Sequence, residues 1–180
     1  MRLFIAIHFS AEIKAAVAKI RDSIKDAAFR GNFTSDDNLH LTLVFLGQCD
    51  VRQTDAIKSV MDDTLLSECT LTLEKVGYFK RDNGNTWWVG LKANKLLVDL
   101  QADLTARLSH KGFMLESRKY TPHVTIGREV KIRAGFVQPT VQPISFNVTK
   151  IELMNSERIN GKLTYRKVYA KNASINGGKV

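Results

Sequence analysis

Apolar and polar positions alternate with a period of two over Arg2–Phe9, so that Leu3, Ile5, Ile7 and Phe9 share one face and predict a strand. Ser10 follows as a helix cap, and Ile13, Val17, Ile20 and Ile24 then recur at three- and four-residue spacing as one apolar stripe. A polar loop from Gly31 to Asn38 leads to a second strand, Leu39–Leu46, closed by Gly47. A further helix is predicted over Thr54–Leu65, carried by Ile57, Val60, Met61 and Leu65.

The same order then recurs. A strand near Thr86–Lys92 precedes a helix with the stripe Leu97, Leu100, Leu104 and Leu108, stopped by Gly112, and Pro122–Ile126 reads as the next strand. Leu71–Phe79 and Trp87–Leu91 flank Asn83-Gly84, while Ile144–Met154 and Leu163–Ala170 flank Asn160-Gly161; both pairs predict hairpins turning at Asn-Gly. The helix Thr54–Leu65 has no counterpart in the second half. Lys131–Pro143 reads as a loop and the tail from Asn172, with Gly177-Gly178, as frayed. Strand, helix, strand and a share of hairpin in each half predict an α+β fold of two pseudo-symmetric lobes. Without a linker between them, 1–180 is expected to be a single bilobal domain.

Composition narrows the class. At 44% hydrophobic and 25% charged residues, the chain matches ordinary soluble globular proteins and needs no membrane. Its apolar start alternates and lacks a small-residue cleavage site, so it reads as a strand rather than a signal peptide. Cys49 and Cys69 make neither a disulfide framework nor a CxxC pair, which leaves a reducing cytoplasm as the expected compartment. The net charge of +9, spread from Lys14 to Lys179, admits a polyanionic partner, although solubility alone explains it equally well.

The chemistry lies in a repeated tetrad. His40-Leu41-Thr42-Leu43 and His123-Val124-Thr125-Ile126 occupy corresponding strands of the two halves. Alternation sends His and Thr to one face and the apolar residues to a core, so two facing lobes present two imidazoles and two hydroxyls to one cleft. In-line displacement at a phosphodiester needs one group to take a proton from the attacking oxygen and another to protonate the leaving oxygen. Imidazole does either near neutral pH, and the hydroxyls of Thr42 and Thr125 can donate to phosphate oxygens. Such a mechanism needs neither metal nor cofactor. One HxTx tetrad alone would be a satisfied polar strand more often than a site; two on equivalent strands favour function. His8 falls on the second face of its strand and His110 at a helix end, and neither is assigned a catalytic role.

The chain resembles the 2′-5′ RNA ligase family, or RNA 2′,3′-cyclic phosphodiesterases, within the two-histidine phosphoesterases. The resemblance is carried by Arg2-Leu3-Phe4-Ile5-Ala6-Ile7, by Asn38 through Gly47, and by Gly112-Phe113 through Glu116-Ser117-Arg118 to Tyr120-Thr121-Pro122-His123-Val124-Thr125. It implies two antiparallel sheets, helices on their outer faces and a basic central cleft. It also implies hydrolysis of RNA ends bearing a 2′,3′-cyclic phosphate to 2′-phosphates, by a monomer, with His40 as proton donor and His123 as proton acceptor. Reverse 2′-5′ joining is permitted by microscopic reversibility. Arg128 matches the family's arginine after the second motif, and Arg118 another frequent position; either guanidinium could hold phosphate. Alternation, however, puts Arg128 on the face opposite His123 unless the strand ends or twists near Gly127. The family often has Pro where Asp36 or Asp37 stands, and another residue in place of His8.

Alternatives remain at this level: cleavage of 2′-5′ oligonucleotide linkages, opening of a small cyclic nucleotide, or a non-catalytic RNA-binding module, which would give no reason to repeat His-x-Thr. Among the aromatic residues, Trp87 and Trp88 should split between core and cleft or solvent. Phe45 should join Leu41 and Leu43 in the core, and Tyr120 is the candidate for a base contact.

Overall fold

The computed structural model describes residues 1–174. Ser10 caps the first helix as expected, its hydroxyl accepting from the Ile13 amide at 3.4 Å. The elements run β1 (Arg2–His8), α1 (Ala11–Ala27), β2 (Ala28–Phe33), a 3₁₀ turn at Asp36–Asn38, β3 (His40–Gln48), α2 (Val51–Asp63), β4 (Cys69–Phe79), β5 (Asn85–Leu91) and α3 (Lys95–His110). They end with β6 (His123–Ile132), β7 (Ile144–Val148), β8 (Lys150–Ile159) and β9 (Lys162–Asn172). A capping box of Asp50 and Gln53 starts α2, and Asn94 caps α3.

The strands form a four-stranded sheet, β3-β1-β8-β9, and a five-stranded sheet, β2-β6-β5-β4-β7, with antiparallel pairing throughout both. This is the expected α+β architecture of two lobes, but the lobes are not the two halves of the sequence. The last hairpin, β8–β9, completes the sheet begun by β1 and β3, and β2 leaves the first half to edge the other sheet. The helices are exchanged as well: α1 packs on β2, β6 and β7, whereas α3 packs on β3 and α2 on β9. Val17 and Ile24 of α1 join Leu104 and Leu108 of α3 in one continuous core spanning both sheets.

Four expected segments need correction. The polar stretch containing Gly31 is β2, an edge strand with Phe29, Arg30 and Asn32 at the surface, so its composition reads as loop while β6 supplies its backbone partners. Ile144–Met154 is not one strand: it divides around Thr149 into β7, paired with β4, and β8, paired with β1 and β9. Lys131 and Ile132 belong to β6, leaving the loop to residues 133–143. Asn172 ends β9 rather than fraying, and the Ala173 amide donates to Thr149 at 2.7 Å; Gly177-Gly178 lies outside the described residues. Both Asn-Gly turns form as expected, with Gly84, Asn160 and Gly161 at positive φ. No described helix is long and apolar enough to cross a membrane.

Candidate active site

The two HxTx strands β3 and β6 meet where the sheets adjoin. Leu41, Leu43, Val124 and Ile126 are buried in the main core, so each tetrad sends its imidazole and hydroxyl to the opposite face. Cross-strand pairing extends those faces. His8 lies opposite His40 and Ala6 opposite Thr42, while Trp88 lies opposite Thr125 and Gly90 opposite His123.

The same main-chain contact orients both rings. His40 Nδ1 is 2.7 Å from the Asn38 carbonyl, and His123 Nδ1 is 2.6 Å from the Thr121 carbonyl. A carbonyl can only accept, so each Nδ1 carries the hydrogen and each Nε2 is left to exchange a proton. At His40, Nε2 sits 2.9 Å from Thr42 Oγ1, whose hydroxyl donates to the neutral ring and can accept once the ring is protonated.

Aromatic walls remove water from both rings. Phe4 and Tyr165 lie 4.9 and 5.2 Å from His40 between ring centroids, with Tyr165 edge-on, and His8 stacks at 5.8 Å. Phe79 lies edge-on to His123 at 5.2 Å and Trp88 at 6.3 Å. Burial, which penalises the charged form, pushes the His40 pKa down to about 4 and that of His123 below its ordinary value. Arg128 adds to the depression of both, and Arg118 to that of His123.

Arg128 reaches this face because of a bulge. Trp88 pairs with Thr125 but Trp87 pairs with Gly127, leaving Ile126 as an extra residue in β6. Alternation is reset there and turns Arg128 to the His123 side; Glu129, with φ 53°, continues the distortion. The twist on which a role for Arg128 depends is therefore present.

A second bulge overturns the placement of Phe45. Val44 pairs with Ile5 and Thr42 with Ala6, so Leu43 is the extra residue and Phe45 falls opposite Phe4 on the His40 face. Phe45 is 44% exposed, with the Arg2 guanidinium 5.2 Å from its ring centroid. Tyr120 is corrected too: its half-buried phenol donates to the Thr42 carbonyl at 2.9 Å, tying the approach to β6 onto β3 instead of presenting a base platform. Trp87 and Trp88 do split, Trp87 into the core and Trp88 across the cleft face.

Alternation alone could have placed Phe4 and His8 beside His40 once β1 and β3 were paired. Tyr165 comes from the distant β9 and Phe79 from the end of β4, and no local signal marks either. Glu152, buried opposite Ala6, is held by Lys150 at 3.0 Å and Lys167 at 4.0 Å. Among the described residues, no cluster of three or more His, Cys, Asp or Glu side chains is placed to hold a metal ion.

Known proteins resemble this chain in sequence and in fold. The sequence profile of the 2′-5′ RNA ligase superfamily matches residues 9–160. An RNA 2′,3′-cyclic phosphodiesterase of Thermotoga maritima is 34% identical over 81% of this chain and 79% of its own length. Another, of Escherichia coli K12, is 28% identical over 91% and 92%. The crystal structure of E. coli LigT complexed with 3′-AMP superposes with a TM-score of 0.85 at 27% identity, covering 97% of this chain and 98% of that one. With its profile match running through both HxTx strands, the chain belongs to the 2′-5′ RNA ligase superfamily.

Proposed function

We propose that this protein is an RNA 2′,3′-cyclic phosphodiesterase that opens the cyclic phosphate to a 2′-phosphate with His40 and His123 as its acid and base. The observation that carries the reading is the matched pair of imidazoles, each with Nδ1–H spent on a main-chain carbonyl two residues earlier and Nε2 left for proton transfer. The names and closeness of the relatives support the reaction class.

In this mechanism water attacks phosphorus and gives its proton to neutral His123 Nε2. The bond from phosphorus to the 3′-oxygen breaks, and that oxygen takes the proton from His40 Nε2, leaving phosphate on the 2′-oxygen. The choice of acid and base follows the family resemblance. Thr42, Thr125 and Arg128 hold the nonbridging oxygens, where charge accumulates in the transition state. Burial favours the neutral form of His40 in the free enzyme, and the arriving phosphodiester anion favours its protonation. The imidazolium thus forms where it is used.

The protein works on RNA ends as a monomeric bilobal unit; its free Cys49 and Cys69 fit a reducing cytoplasm. Incubating an oligoribonucleotide ending in a 2′,3′-cyclic phosphate with the purified protein and identifying the end group tests this reading. A 2′-phosphate is expected; an unchanged cyclic end contradicts it.

A further inference from the structure

Outside the cleft, a cavity of about 640 Å³ opens at the hairpin end of the five-stranded sheet. Its position follows from pairing. Tyr78 and Trp87 are cross-strand partners, and Trp87 belongs to the core, so this wall lies on the face opposite Trp88 and His123. Phe29 of β2, Tyr78 of β4 and Phe136 of the 133–143 loop supply aromatic surface; Phe29 is 62% and Tyr78 41% exposed. Phe136 stands edge-on to Trp87 at 6.0 Å, and the Trp87 indole N–H is buried without an acceptor among the described residues.

Arg81, Lys131 and Arg133 surround the cavity and Asp82 is the one carboxylate in its lining. Among the described residues none of the three cations forms an ion pair. Arg133 donates to the Asp26 carbonyl at 3.0 Å, which fixes its guanidinium without neutralising it. Exposed aromatic rings among unneutralised cations are what single-stranded nucleic acid requires: π faces for bases and positive charge for phosphates. A purely apolar ligand would leave three charges desolvated without return.

We infer that this cavity is a second RNA site, taking an upstream nucleotide of the same single strand whose end lies in the cleft, or of a strand bound without its end engaged. The base packs against Phe29 and Tyr78 while Arg81, Lys131 and Arg133 hold flanking phosphates. Strand β6 connects the two sites: Arg128 faces the cleft, while Lys131, three residues on, lines this cavity. The inference rests on the proposed function for the substrate class, but not on turnover.

The test separates the two. Binding of a twelve-nucleotide RNA already ending in a 2′-phosphate is measured by fluorescence anisotropy for the wild type, Phe29→Ala and the double variant Arg81→Glu/Lys131→Glu, with thermal melting to confirm folding. Turnover of cytidine 2′,3′-cyclic phosphate is measured beside it. Expected are a loss of about tenfold or more in RNA affinity for each variant, consistent with about 1–3 kcal/mol per stacked base, and a shallower salt dependence for the charge reversal. Turnover of the small substrate should stay within about twofold. Unchanged RNA affinity in both variants overturns the inference, as does an equal loss on RNA and on the cyclic mononucleotide. A wild type that binds RNA through this cavity yet leaves the cyclic phosphate intact sinks the proposed function and not the second site.

Discussion

The Tyr120 hydroxyl donates a 2.9 Å hydrogen bond to the backbone carbonyl of Thr42, joining the chain that enters the second motif to the strand that carries the first. Burial pushes its phenol well above the usual tyrosine range, so it stays a neutral donor throughout the working pH range. The contact sets the two imidazole-bearing strands against each other.

Tyr120→Phe keeps the ring and leaves the Thr42 carbonyl without this donor, which should cost about 1–2 kcal/mol of stability. Because the bond positions the motifs and does not touch the base, kcat should fall several-fold with KM nearly unchanged. Steady-state kinetics with melting curves check this; a KM effect that depends on base identity would restore Tyr120 as a base contact.

Both histidines titrate below the ordinary imidazole value, His40 at about 4. Catalysis requires one protonated and one neutral ring, so the bell of kcat/KM, which reports the free enzyme, should peak below pH 6.5. The bound phosphate anion raises both values, so the kcat optimum should lie at higher pH than that of kcat/KM. Stability follows with a definite sign: below about pH 6.5 the unfolded chain takes up the proton that folded His40 refuses. That contribution is complete above about pH 6.5 and is lost as pH falls towards about 4. A kcat/KM maximum above pH 8 would contradict the account.

Gly77 and Gly90 make room for the Trp88 indole. A Cβ at Gly77 would stand 2.4 Å from that ring and one at Gly90 2.7 Å, so the indole lies across both positions beside His123. Gly77→Ala should lift the indole and lower kcat by about 10–100-fold, since displacements near 1 Å at a reacting centre have effects of that order. Kinetics together with tryptophan fluorescence test this; a fluorescence change with full turnover would dissociate Trp88 from the site.

Much of this was legible in the chain. Leu41, Leu43, Val124 and Ile126 are buried as alternation requires, and the repeat of His-x-Thr located both imidazoles. What alternation could not show are its interruptions. One extra residue at Leu43 exposes Phe45, with no marker in the sequence around it, and one at Ile126 brings Arg128 to the cleft face, where only the neighbouring Gly127 hinted at a break in the alternation. The exchange of α1 and α3 between sheets, and the return of β8–β9 to the first sheet, are decided by long-range packing that no local pattern encodes.

Arg128 separates charge from geometry. Arg128→Lys keeps the cation but loses the planar fork, and Arg128→Ala loses both, so activity should fall in the order Arg, Lys, Ala. Wild-type kinetics in Arg128→Ala would remove it from the phosphate site.

The central claim is that His40 and His123 act as one acid–base pair, and the most direct measurement is single-turnover hydrolysis of a cyclic-phosphate-ended RNA by His40→Ala, His123→Ala and the double variant, with and without EDTA. Each single variant should lose about 10²–10⁴-fold or more while still folding. The double should be little worse than the worse single, because residues acting as a unit are not additive. EDTA should leave the wild type unaffected. Full activity in either single variant, or abolition of wild-type activity by EDTA, would contradict the account.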